Sequence, residues 1–174
     1  MKILIDARFY GLENAGLGRY TINLIDQLCK LDKQDEYVIL LNKKYFETLN
    51  LPSNFEKVEV NIKHYSFEEQ LKLPQIIKKY NPDLTHFLHF NVPINFSGKF
   101  IVTIHDMTMH FQKADSSNLN IIKYLFKHFA YKKVFKNAVK KSQKIIVPSG
   151  FVKDQIANYF EISKEKIIIT YEGI

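Results

Sequence analysis

The sequence of 174 residues has no tryptophan, one cysteine and only two arginines, Arg8 and Arg19. A single thiol excludes an internal disulfide. Cys29 sits with Ile25 and Leu28 on one helical face, which reads as a core or boundary thiol and not a nucleophile. With six glycines and five prolines, the chain has no flexible Gly/Ser linker and no Pro-rich spacer. No apolar run approaches the ~20 residues of a membrane-spanning helix. The apolar part of Met1-Lys2-Ile3-Leu4-Ile5-Asp6 is too short for a signal peptide and reads as a strand, so a cytoplasmic location is expected.

Two phosphate-binding fingerprints are missing as well. The pattern G-x-x-x-x-G-K-[S/T] does not occur, which excludes a P-loop. A G-x-G-x-x-G motif starting at Gly16 would need a third small residue where Thr21 stands. It would also need an acid at the end of the second strand to hold a ribose, and Leu41-Asn42 supplies none. The dinucleotide reading therefore fails.

The chain is long enough for one domain with a real core, and 46% hydrophobic with 25% charged residues is an ordinary globular balance. Its net charge of +7 is unevenly placed. Between Lys113 and Lys153 stand ten lysines and one acid, Asp115, which leaves 15 basic and 17 acidic residues for the rest of the chain. The basicity is thus a property of one region of surface.

Apolar periodicity alternates between strand and helix. Strands are expected at Lys2 to Ala7, Tyr37 to Leu41, Val58 to Ile62, Leu84 to Phe87, Phe100 to Ile104, Lys144 to Pro148 and Ile167 to Tyr171. Helices are expected from about Tyr20 to Leu31, at Phe67 to Lys79 with an interruption or start at Pro74, from about Leu119 to Lys141, and at Phe151 to Phe160. Continuous apolar strands joined through helices predict an α/β fold: a Rossmann-like, doubly wound, mainly parallel sheet with helices on both faces. In such sheets ligands bind beyond the carboxyl ends of the strands. Three features fall on that edge: Ala15-Gly16-Leu17-Gly18-Arg19-Tyr20 after the first strand, His105-Asp106 after the fifth, and Ser149 after the sixth.

A glycine-bearing segment between a strand and a helix allows close backbone approach to an anion, and the free N–H groups of the first helical turn point at it. Tight packing explains the same glycines without a ligand. Arg19 would reach an anion held there, or stand as a surface charge. His105 would hydrogen-bond or polarise a substrate, oriented by Asp106; the plainer reading has Asp106 starting the next turn. Ser149 would cap the helix that follows it, a role compatible with anion contact. His86, His89 and His110 lie near one another in sequence, yet His86 and His89 point to opposite faces of a strand and no cysteine or Glu-bearing motif accompanies them. No metal is expected. Lys123, Lys127, Lys132, Lys133, Lys136 and Lys140 alternate with aromatic residues along the long helix. That pattern reads as a solvated face, or as a surface for acceptor or anionic lipid headgroups. No nucleic-acid motif is present.

These pieces resemble the N-terminal half of a GT-B-fold, group 1 (glycogen-synthase-like) retaining glycosyltransferase. The matching segments are Ala15 to Tyr20, Pro82-Asp83-Leu84-Thr85-His86-Phe87, Asn91-Val92-Pro93, Thr103-Ile104-His105-Asp106, Val147-Pro148-Ser149-Gly150-Phe151 and Ile168 to Ile174. They occur in the family's order and cover essentially the whole chain. The resemblance implies an acceptor-side domain whose substrates are a nucleotide-sugar donor and a glycan or lipid-linked acceptor, with no cofactor or metal. It implies that Gly16, Leu17 and Gly18 approach the donor diphosphate and sugar, that His105 contacts the donor sugar, and that Arg19 and Ser149 have lesser roles. The family's second domain carries two glutamates separated by seven residues, and no such pair occurs here. The C-terminal nucleotide-sugar domain is therefore expected to be absent from residues 1–174 and the chain to be inactive alone. A stand-alone scaffold paired with a separate catalytic half and a different small α/β nucleotide-binding enzyme are the alternatives.

Overall fold

A computed structural model describes residues 1–111 and 121–171, and the side chains of residues 121–124 are not included in that description. Among the described residues, seven strands form one sheet: Lys2–Asp6 (β1), Glu36–Leu41 (β2), Phe55–Glu59 (β3), Leu84–Phe87 (β4), Phe100–Thr103 (β5), Lys144–Val147 (β6) and Ile167–Ile169 (β7). Their order is β3-β2-β1-β4-β5-β6-β7 and every pairing is parallel. The chain moves outward from β1 in one direction and then returns to lay β4 on its other side. The strand order therefore reverses between β1 and β4, where a parallel sheet opens a crevice at its carboxyl edge.

Helices Ala15–Leu31 (α1), Lys43–Thr48 (α2), Phe67–Tyr80 (α3), Thr108–Phe111 (α4), Ile121–Lys141 (α5) and Gly150–Phe160 (α6) make the crossovers. They divide the core in two. Ile5, Tyr37, Ile39 and Leu41 pack with Ile25 of α1, and partly buried Tyr45 and Phe46 of α2 close over them. Leu4, Val38 and Leu40, pointing the other way, join Leu73 and Ile77 of α3, Phe135 of α5 and Ile156 of α6. The run Tyr37 to Leu41 reads as continuously apolar because both of its faces are covered.

Three boundaries differ from the periodic reading. Helix α1 begins at Ala15, five residues before Tyr20, so the glycines lie in its first turn and not in a loop. Strand β3 ends at Glu59; Val60 and Ile62 are buried from the following loop, which counterfeits strand alternation. Helix α3 runs through Pro74 unbroken. Its ends are well signalled: Ser66 Oγ accepts from the Glu69 N–H at 3.1 Å, Glu68 and Glu69 fill the first turn, Lys78 and Lys79 the last, and Asn81 takes the left-handed C-cap. The start of α5 near Leu119 lies outside the described residues.

Within the sheet, His86 of β4 is buried and its Nε2 meets Thr103 Oγ1 at 2.8 Å. Burial, helped by neighbouring His105, pushes its pKa down from 6.5 to about 4. The unfolded chain therefore binds the proton that folded His86 refuses between those values, and stability falls as pH falls through that window. The urea midpoint is expected to drop from pH 6.5 toward 4, and His86→Gln to flatten that limb by on the order of 2 kcal/mol. An unchanged acid limb in the variant would refute the assignment.

Candidate functional site

The carboxyl edge collects the ends of β1, β4, β5 and β6. After β1 the chain makes a 3-10 turn at Leu12–Asn14 and enters α1. The glycine geometry there is unequal. A Cβ on Gly18 would stand 1.8 Å from the Gly11 carbonyl oxygen, whereas one on Gly16 would meet nothing within 4 Å. Gly11 itself has φ +125° and lies under the Tyr45 ring. Close backbone approach thus explains Gly18 and Gly11, and Gly11 was not legible as part of the motif. Gly16 is exposed, with no packing reason to lack a side chain. At the N-cap, Asn14 turns its amide to the Phe9 carbonyl at 3.0 Å and does not cap the helix. The first-turn N–H groups of α1 therefore have no side-chain cap, and the positive end of the helix dipole is left for an anion. Arg19 is exposed beside them.

Tyr20 ties this helix to β5. Its hydroxyl lies 3.3 Å from Thr103 Oγ1, and its ring packs edge-on against the His105 ring with centroids 4.7 Å apart. His105 Nε2 donates to the Leu88 carbonyl at 3.2 Å, so that nitrogen carries a proton. The imidazole is held from three sides, by α1, β4 and β5. Asp106 Oδ1 accepts the Thr108 N–H at 2.8 Å and starts α4. It also lines an open pocket of about 470 Å³ with Met107, Phe111, Phe151 and Gln155. Ser149 is the N-cap of α6, its Oγ accepting from Val152 N–H at 3.3 Å. It follows β6, one strand beyond the β5 end that carries His105.

A buried ion cluster at the reversal point escaped the sequence reading. Arg8 is 1% exposed. Its Nε and Nη2 each donate to the Asp6 carboxylate at 2.7 Å, Nη2 also to Glu69 Oε1 at 2.7 Å, and Nη1 to the Ile62 carbonyl at 3.3 Å. Glu69 Oε2 accepts from Asn91 Nδ2 at 2.6 Å and from the Tyr65 N–H at 2.7 Å. Burial alone would raise both carboxyl groups. The guanidinium overcomes it at Asp6 and holds that group below its usual range. At Glu69, His64, Arg8 and Asn91 together have the same effect. His64 Nδ1 approaches Glu69 Oε1 at 3.6 Å, longer than the Arg8 and Asn91 contacts. One signal was available: Glu69 precedes Leu73 by four and Ile77 by eight, which places a carboxylate on the apolar stripe of α3.

Helix α5 presents an exposed face of two kinds. Leu125, Phe126 and Phe129 are exposed near its start, and Lys132, Lys133, Lys136 and Lys140 continue the same face toward its end. Lys127 is exposed but points away from this face, while the side chain of Lys123 lies outside the described ones. Lys132, Lys136 and Lys140 line a groove of about 380 Å³ with Tyr159 and Glu161 of α6's end. Among the described residues there is no group of three or more His, Cys, Asp or Glu able to hold a metal, and no helix is long and apolar enough to cross a membrane.

Solved structures share this architecture. The wall teichoic acid polymerase TagF aligns with 96% of this chain at a TM-score of 0.56 and 14% identity. A glycosyltransferase from Rickettsia africae ESF-5 aligns with 99% at a TM-score of 0.55 and 19% identity. The alignments take in 37% and 43% of those chains, so this chain spans about two-fifths of their length. Comparison with curated proteins gives no match. The fold is that of a GT-B glycosyltransferase domain. The chain belongs to Glycosyltransferase Family 4, whose model matches residues 15–174.

The glycine geometry makes a differential prediction. Gly18→Ala forces the Gly11 backbone aside and is expected to destabilise by about 2–4 kcal/mol in urea melts, whereas Gly16→Ala is neutral or mildly stabilising in a helix. Equal effects at the two positions would contradict the packing.

Proposed function

We propose that this domain is the acceptor-side half of a metal-independent, retaining glycosyltransferase that moves a sugar from a nucleotide-sugar donor to a glycan or lipid-linked acceptor. The observation that carries the reading is the Tyr20–His105 contact. It places an uncapped, glycine-bearing helix start and a fixed imidazole side by side at the carboxyl edge. In the transfer, the bond from the anomeric carbon to the diphosphate oxygen breaks. The acceptor hydroxyl oxygen bonds to that carbon and releases its proton, and the nucleoside diphosphate leaves. Gly16 and Leu17 present backbone N–H groups to the diphosphate, Gly18 lets that turn lie close against Gly11, and Arg19 adds charge. His105 contacts the donor sugar, with Asp106 at the adjoining turn, and Ser149, at the cap of α6, has a lesser role. Neutralising the leaving group requires more donors than this edge offers. A second, nucleotide-binding domain supplies them, from the same polypeptide or from a partner.

Residues 1–174 alone are expected to release no nucleoside diphosphate from UDP-, GDP-, CDP- or TDP-activated sugars. The same domain joined to its nucleotide-binding half is expected to turn over, and His105→Ala to lower kcat there by about 10²–10³-fold. Turnover by the isolated domain, or full activity without His105, would sink this reading.

The exposed face of α5 supports a further part of the proposal, a cytoplasmic enzyme docked peripherally on an anionic membrane. Phe126 and Phe129 enter the headgroup region and Lys132, Lys133 and Lys136 face phosphate. Sedimentation with vesicles containing anionic lipid is expected to carry the protein down, less so at high salt or after Lys132→Gln/Lys133→Gln/Lys136→Gln. Equal sedimentation with neutral vesicles would refute the electrostatic contribution.

A further inference from the structure

A cluster of rings stands at the reversal between β1 and β4 that neither the donor contacts nor the membrane face uses. Phe9, in the loop after β1, stacks on His64 with centroids 3.7 Å apart and an interplanar angle of 11°. His89, in the loop after β4, lies 5.4 Å from Phe9 and 6.0 Å, edge-on, from Tyr65. The Tyr65 hydroxyl is 3.4 Å from His89 Nδ1. Tyr65 is 62% exposed, an unusual setting for a ring carried by a strained backbone.

The strain is specific. Tyr65 has φ +60°, a left-handed conformation that costs a bulky residue of order 1 kcal/mol or more and persists only where the surroundings impose it. Here the imposing group is Glu69, which accepts the Tyr65 N–H at 2.7 Å and is itself held by Arg8 and Asn91. A buried ion cluster thus fixes the backbone that presents an exposed ring. The ring stands at the rim of the cluster, its centroid 6.0 Å from His89 and 6.4 Å from Phe90.

We propose that Tyr65, with His89 and the stacked Phe9–His64 pair beside it, is a saccharide subsite that takes a neutral sugar ring of the acceptor. This deepens the glycosyl-transfer reading and rests on it for the word acceptor. The chemistry matches on both counts a sugar imposes. A pyranose offers a C–H face, which packs on an exposed aromatic ring, and a rim of hydroxyls, which each need a donor and an acceptor. Burial, with His105 adding, holds His89 at about 4. The imidazole is therefore neutral near neutral pH, and with Nδ1 facing the Tyr65 hydroxyl it leaves Nε2 for a sugar hydroxyl. The position is where a doubly wound sheet binds ligands. The two buried acids beneath the rings, Asp6 and Glu69, are both spent on Arg8.

The test is binding of the chain to a printed array of neutral oligosaccharides, followed by titration with the strongest hit. The informative variant is Tyr65→Gly, because glycine accepts φ +60° without strain. Its melting temperature is expected to equal or exceed that of the unmodified protein, while affinity falls about tenfold or more, the change expected for losing a stacked ring. Tyr65→Phe, which keeps the ring, is expected to stay within about threefold. A blank array, or a Tyr65→Gly protein that binds as tightly as the original, overturns the subsite. In the two-domain enzyme the subsite predicts a raised acceptor KM for Tyr65→Gly with donor KM unchanged. Saccharide binding that depends on Tyr65, without transfer from any sugar nucleotide, would overturn the transfer reading and leave the subsite standing.

Discussion

Arg8 keeps its charge at a depth water does not reach, and the chain surrounds it with the two carboxylates of Asp6 and Glu69 and the carbonyl of Ile62. Each partner comes from a different piece of the carboxyl edge: the end of β1, the first turn of α3 and the loop after β3. Asn91 joins from the loop after β4 through Glu69. Taking such charges out of water is costly, and only full mutual satisfaction offsets the cost. The arrangement therefore tolerates no slack: moving any one loop strands a charge. Everything the crevice presents at the β1/β4 reversal is referred to this cluster.

The other side of the edge is organised by smaller contacts. Gly18 lets α1 come against the Gly11 carbonyl, which sets where the helix starts. Tyr20 then reaches Thr103 and His105 from that helix. The glycine that matters for packing and the glycine left open at the surface are two residues apart in sequence and have different duties. The two sides of the edge are thus built by different physics, close apolar and backbone approach on one, buried charge on the other. They meet at Leu88, whose carbonyl receives His105 Nε2 and whose neighbour is His89.

Much of this was legible in the sequence. Buried parallel strands read as apolar runs because helices cover both faces, and β2, β4, β5, β6 and β7 all fall where those runs stand. The failures have particular causes. Val58 to Ile62 alternates like a half-buried strand, yet Val60 and Ile62 are buried by a loop folding over the sheet. The glycines of Ala15 to Gly18 suggested a loop, because a helix with two glycines in its first turn has poor intrinsic propensity; packing against Gly11 overrides it. Helices α2 and α4 are too short to show a period. At the edge, the convergence of the glycine segment with His105 followed from both standing just after strands of a parallel sheet. Arg8 did not, because its partner Glu69 is 61 residues away and no local pattern encodes a charge pair across that span.

The central place of β1 has a consequence for how the chain reaches this state. Ile3 pairs with Tyr37 on one side and with Leu84 on the other. During synthesis β1, an interior strand of the sheet, leaves the ribosome before either neighbour, and the second of them follows far behind. Until β4 emerges, one edge of β1 is unpaired and α3 has no finished surface to cover. Such long-range parallel closure is slow and leaves sticky intermediates exposed. Nascent chains halted before Leu84 keep that edge of β1 unpaired.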